Sequence, residues 1–99
     1  MKPLDRENML VIQAVQASLG LVSPDVLGIS VEARHSQVIL HFAVKRKTPD
    51  IGEDIDEIMF EFDALLEGSE ILKSRIYLGV PDKNWPGRVG RLIYLAKPS

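Results

Sequence analysis

Apolar side chains in this chain switch between helical and alternating spacing twice over, and that order of periods restricts the fold more than any single motif. From Leu4 to Leu19, the residues Val11, Ile12, Val15 and Leu19 form a stripe at spacings of three and four, with Leu4 and Leu10 at its edges. The reading is an amphipathic helix that ends at Gly20, before Ser23-Pro24-Asp25. Leu27, Ile29, Val31 and Ala33 then alternate with Gly28, Ser30, Glu32 and Arg34, and Val38, Leu40, Phe42 and Val44 alternate with Ile39, His41, Ala43 and Lys45. Both runs read as strands with one apolar face, joined by a turn at Arg34-His35-Ser36-Gln37. Thr48 as N-cap, Pro49 in the first turn and Asp50 at the positive end of the dipole open a second helix. Its core residues are Ile51, Ile55, Ile58, Met59, Phe62, Leu65 and Leu66, and Gly68 is placed to cap it. A third strand sets Leu72, Ser74, Ile76, Leu78 and Val80 against Ile71, Lys73, Arg75 and Tyr77. In the last, within residues 88–97, Leu92 and Tyr94 compete with Ile93 and Leu95 for the inner face, and Gly90 marks a bulge or a close backbone approach.

The order α-β-β-α-β-β predicts one α+β domain over residues 1–99: a two-layer sandwich with a four-stranded, mainly antiparallel sheet and both helices on one face. Strand order is left open between a meander and a circular permutation of the ferredoxin-like arrangement. A chain of 99 residues is long enough for one core without staples, and the lack of cysteine removes disulfide scaffolds and thiolate chemistry. A 45% hydrophobic content with net charge −2 lies outside the disordered class. No apolar run approaches the length of a membrane span, and the start, Met1-Lys2-Pro3-Leu4-Asp5-Arg6-Glu7, mixes both signs. The expected setting is therefore cytoplasmic, away from membranes.

No catalytic constellation stands out, so no enzyme, cofactor or metal is expected. His35 and His41 fall in a turn and on a strand, His41 half-exposed, without metal-ligand spacing. Glu53-Asp54-Ile55-Asp56-Glu57 lacks the alternating ligands and central glycine of a calcium loop, and on a helix its carboxylates fan apart. Gly87-Arg88-Val89-Gly90 has the outline of a GXXG clamp but leads into a strand rather than joining two helices.

Charge is the unusual feature. Nine acidic residues and no Lys or Arg lie between Asp50 and Glu70, so that segment carries −9 and the rest of the chain +7. A solvated helix ordinarily interleaves lysine with glutamate. At 100° per residue Phe60 falls opposite the core stripe, among Glu53, Asp56, Glu57, Asp63 and Glu67. An aromatic anchor within a charged rim is the layout of a protein-binding face for a basic partner. A second candidate surface is basic: Arg34, His41, Lys45, Lys73, Arg75 and Tyr77 share the other face of the sheet, with Arg91 a further candidate, an arrangement open to nucleic acid. Trp85, alone of its kind, stands in a loop and is either a binding residue or a lid on the core. Self-association between acidic helix and basic strands is a third possibility.

The stretches Leu21-Val22-Ser23-Pro24-Asp25-Val26-Leu27, Glu61-Phe62-Asp63-Ala64-Leu65-Leu66, Pro81-x-x-x-Trp85-Pro86 and Arg91-Leu92-Ile93-Tyr94 are similar to those of small bacterial αββαββ proteins. These resemble immunity proteins of polymorphic toxin and contact-dependent inhibition systems. The resemblance covers nearly the whole chain, though its motifs are mostly structural. It implies a stoichiometric inhibitor of a toxin domain, a nuclease by the acidic character, and assigns no role to any one residue.

Overall fold

The computed structural model describes residues 3–97; Met1 and Lys2, at the head of the mixed-charge N-terminal stretch, lie outside the described residues. Helix α1 (Pro3–Ser18) leads into β1 (Val26–Arg34) and β2 (Gln37–Val44), an antiparallel hairpin that turns through Ser36 at φ +56°. Helix α2 (Pro49–Leu66) carries the chain to β3 (Ile71–Leu78), which runs parallel to β2. A crossover, residues 79–90, contains a 3-10 turn at Pro86–Val89 and delivers β4 (Arg91–Leu95) antiparallel to β1.

The fold is the expected α+β arrangement, but the sheet is mixed, with order β3-β2-β1-β4. This is neither the meander nor the ferredoxin-like permutation. Parallel neighbours need a long connection, and α2 supplies it for β2 and β3. With both edges of β2 then occupied, β4 joins the open edge of β1.

Helix α2 follows its sequence closely. Thr48 Oγ1 accepts a hydrogen bond from Ile51 N at 3.2 Å, with Pro49 in the first turn. Ile51, Ile55, Ile58, Phe62 and Leu66 are buried in one cluster with Val38, Leu40, Phe42 and Val44 of β2 and Ile29 and Val31 of β1. The helix closes one residue before the expected glycine: Glu67 takes the left-handed conformation and its N–H donates to Asp63 O.

Helix α1 departs from its expected stripe. Leu10, Ala14 and Ala17 face the core, while Ile12 and Leu19 are 65% and 71% exposed. Gln13 Nε2 donates to Leu65 O at 3.2 Å across the helix pair, and two of the three buried apolar residues of α1 are alanines.

The outer face of the sheet departs too. The crossover packs across it, so Ile39, His41 and Ala43 are fully buried instead of half-exposed. Gly87 lies so close that a Cβ there would stand 2.5 Å from the Trp85 ring and 2.6 Å from His41 Cβ. Gly90 approaches β1 equally closely, since its Cβ would lie 2.5 Å from Val31 O. An irregularity opposite Ile29 and Ser30 resolves the facing of β4: Ile93 and Tyr94 both pack toward the core, and Leu92 and Leu95 both stand on the outer face.

Candidate functional site

The α2 register that buries Ile55, Ile58 and Phe62 places Glu53, Asp56, Glu57, Phe60, Asp63 and Glu67 on the solvent side, all exposed. Phe60 is 73% exposed, the most open large apolar side chain in the described residues. It borders an open groove of about 660 Å³ between the two helices. Asp56, Glu57 and Glu61 line the groove from α2, and Gln16, Ala17, Leu19 and Leu21 from α1 and the segment after it. The groove thus has an acidic wall, an apolar wall and a floor at Ala17. Glu53, Asp63 and Glu67 lie outside the groove lining.

Glu61, Leu19 and Leu21 are absent from the sequence-derived set. Glu61 follows Phe60 by one residue, about 100° around the helix, so a wider arc on the helical wheel includes it. Leu19 belongs to the apolar stripe of the sequence, but with Leu10, Ala14 and Ala17 facing the core it stands outward.

Within the acidic span, only Glu70 has an ion-pair partner among the described residues, Arg6, whose guanidinium also donates to Arg34 O. The carboxylates of α2 stand uncompensated. Toward the C-terminal end, Glu61, Asp63 and Glu67 also sit near the negative pole of the helix dipole. The face therefore holds a concentrated negative field that the fold itself does not neutralise.

The basic sheet surface is dispersed. Lys73, Arg75 and Tyr77 share one face of β3, with Arg75 exposed and Tyr77 half-buried. His41 is buried, and its Nε2–H donates to Glu32 Oε1 at 2.8 Å, while Arg34 Nε bonds the other Glu32 oxygen. Arg91 lies on the helix side, bonded to Glu7 and Asn8 of α1. Trp85 is only 3% exposed and so is a lid rather than a surface residue; its ring lies against Gly87 and near Gly28, and its Nε1 has no hydrogen-bond partner among the described residues.

Ser30, His41 and Glu32 lie together on adjacent strands, the residue types of a nucleophile, a base and an orienting acid. Ser30 is 1% exposed and its Oγ donates to Gly87 O at 2.6 Å, and His41 turns to Glu32 instead of Ser30. The Ser30 bond anchors the crossover to the sheet, and the His41 bond ties β2 to β1. Burial of Glu32 opposes its ionisation, but the hydrogen bonds from His41 and Arg34, with the Arg34 charge, outweigh it and hold the carboxyl below its ordinary value. Among the described residues no three His, Asp or Glu side chains gather as a metal site, and no helix is long and apolar enough to cross a membrane. No protein-family model matches the chain, and no curated protein matches it.

Proposed function

We propose that this protein is a non-catalytic binding protein of the immunity type, which neutralises a cognate nuclease toxin domain through the outer face of α2. One observation carries the reading: Phe60 projects 73% exposed from a face whose carboxylates have no ion-pair partner among the described residues. Glu53, Asp56, Glu57, Asp63 and Glu67 form the rim, with Glu61 added from the groove. A nuclease cleft is basic because it must hold phosphates, so a carboxylate surface is complementary to it. Long-range attraction accelerates encounter, and seating Phe60 in an apolar pocket slows dissociation. Inhibition then follows from occupation of the cleft and needs no chemistry by the inhibitor. The resemblance to small αββαββ immunity proteins supports the same reading.

The test is protection in cells. Co-expression with a toxin domain encoded beside its gene should rescue growth, and Phe60→Ala combined with Glu57→Lys and Asp63→Lys should abolish the rescue at equal protein level. Absence of rescue by the unaltered protein, or undiminished rescue by the triple variant, contradicts the proposal.

A further inference from the structure

The sheet ends in two edges that differ in how they are protected. Strand β4 is short, and its pairing with β1 is interrupted by an irregularity, both common ways of blunting an edge. Strand β3 keeps an unbroken register with β2 from Ile71 to Leu78, and among the described residues no strand lies on its other side. Its hydrogen-bonding phase follows from its ends. Ile71 N donates to Ser36 O and Gly79 N to Val44 O, so odd-numbered residues turn their main-chain groups toward β2. By alternation, the N–H and C=O groups of Leu72, Ser74, Ile76 and Leu78 point away from the sheet. The side chains alternate as well. Ile76 and Leu78, on the helix side, are 40% and 57% exposed because α2 covers little of β3. Lys73 and Arg75, on the other side, are exposed and form no ion pair among the described residues.

We propose that β3 is a docking edge for an extended segment of a partner protein, taken up as a fifth strand, with acidic side chains alternating with apolar ones. The outward main-chain groups supply the ladder. The apolar positions extend the contact of Ile76 and Leu78, and the acidic positions face Lys73 and Arg75. Charge argues against a second copy of the chain in the two antiparallel registers that pair most of the strand: centring on Ser74 sets Lys73 opposite Arg75, and centring on Arg75 sets that residue opposite itself. The free main-chain ladder, and the exposed Ile76 and Leu78 on the face opposite the two cations, favour a peptide over nucleic acid. This surface is separate from the α2 face and does not rest on the toxin reading.

The probe is a capped peptide alternating glutamate with valine over the length of β3, titrated into isotope-labelled protein and followed by NMR. Shifts should centre on β3, amide exchange should slow at Leu72, Ser74, Ile76 and Leu78, and a lysine–valine peptide should bind roughly tenfold more weakly. Ser74→Pro removes an outward N–H while sparing every bond to β2, and should abolish binding with the fold intact. Should that variant unfold, Lys73→Glu with Arg75→Glu provides the independent check by reversing the peptide preference. The proposal is overturned by shifts confined to the helix layer, by equal binding of the two peptides, by concentration-dependent dimerisation through β3, or by an oligonucleotide that binds β3 more tightly than the glutamate–valine peptide.

Discussion

The outer face of the sheet and the outer face of α2 both carry polar and charged side chains, and the fold treats them in opposite ways. On the sheet, Ser30, Glu32, Arg34 and His41 bond to one another or to the crossover. On α2 the carboxylates find no ion-pair partner among the described residues, and Phe60 among them is 73% exposed. Residue types alone do not separate the two regions, since serine, glutamate and histidine gathered on one strand pair look more like a functional site than a run of helical acids does. Internal satisfaction separates them. Polar groups whose bonding capacity is met within the fold act as architecture, and groups left unmet are available to a partner.

That contrast can be broken by mutation, beginning where the effect is largest. Trp85→Ala should destabilise the protein by about 3–5 kcal/mol, because it empties the space between the crossover and the sheet; the midpoint of denaturant unfolding measures it, and a near-neutral value would return Trp85 to the surface. Ser30→Ala should cost about 1 kcal/mol by removing one of the two hydrogen bonds to the Gly87 carbonyl, which keeps the Gly90 N–H. Acid should act on the same region. With its carboxyl held below the ordinary value, Glu32 contributes stability that is complete above the usual glutamate range and is lost as pH falls through the lowered folded value. Glu32→Gln should therefore flatten that part of an acid-unfolding profile, and an unchanged profile would separate Glu32 from the network.

Effects on α2 should be small for folding. Phe60→Ala should alter stability by no more than about 0.5 kcal/mol. Glu57→Lys with Asp63→Lys should raise stability by about 0.5 kcal/mol, since each change relieves like-charge repulsion on the helix. Thermal unfolding at low salt reads both, and destabilisation by the charge reversal would mean that the acidic face has a structural role.

Much of this architecture is legible in the sequence, and the misreadings share a cause. Helix α2 is readable because its cap, its apolar period and its polar face agree. Helix α1 is misleading because its largest apolar residues, Ile12 and Leu19, point outward, and the contact that orients it is made by alanines that a hydrophobic pattern underweights. His41 and Trp85 are decided by the crossover, and a period of two within each strand carries no information about a segment that returns across the sheet. The parallel pairing of β2 and β3 is likewise set by which edge remains free after the hairpin forms. Phe60 is legible as an outward residue from periodicity alone, but its groove requires the second helix, and with it Leu19 and Leu21.

The central claim is that the uncompensated face of α2 is a recognition surface anchored by Phe60. Calorimetric titration of the purified protein with a basic toxin domain encoded beside its gene tests it most directly. Phe60→Ala should weaken binding by about 2 kcal/mol, roughly thirtyfold, with unfolding unchanged, and raised salt should weaken it further. Equal affinity for the unaltered and Phe60→Ala proteins across the salt series would contradict the account.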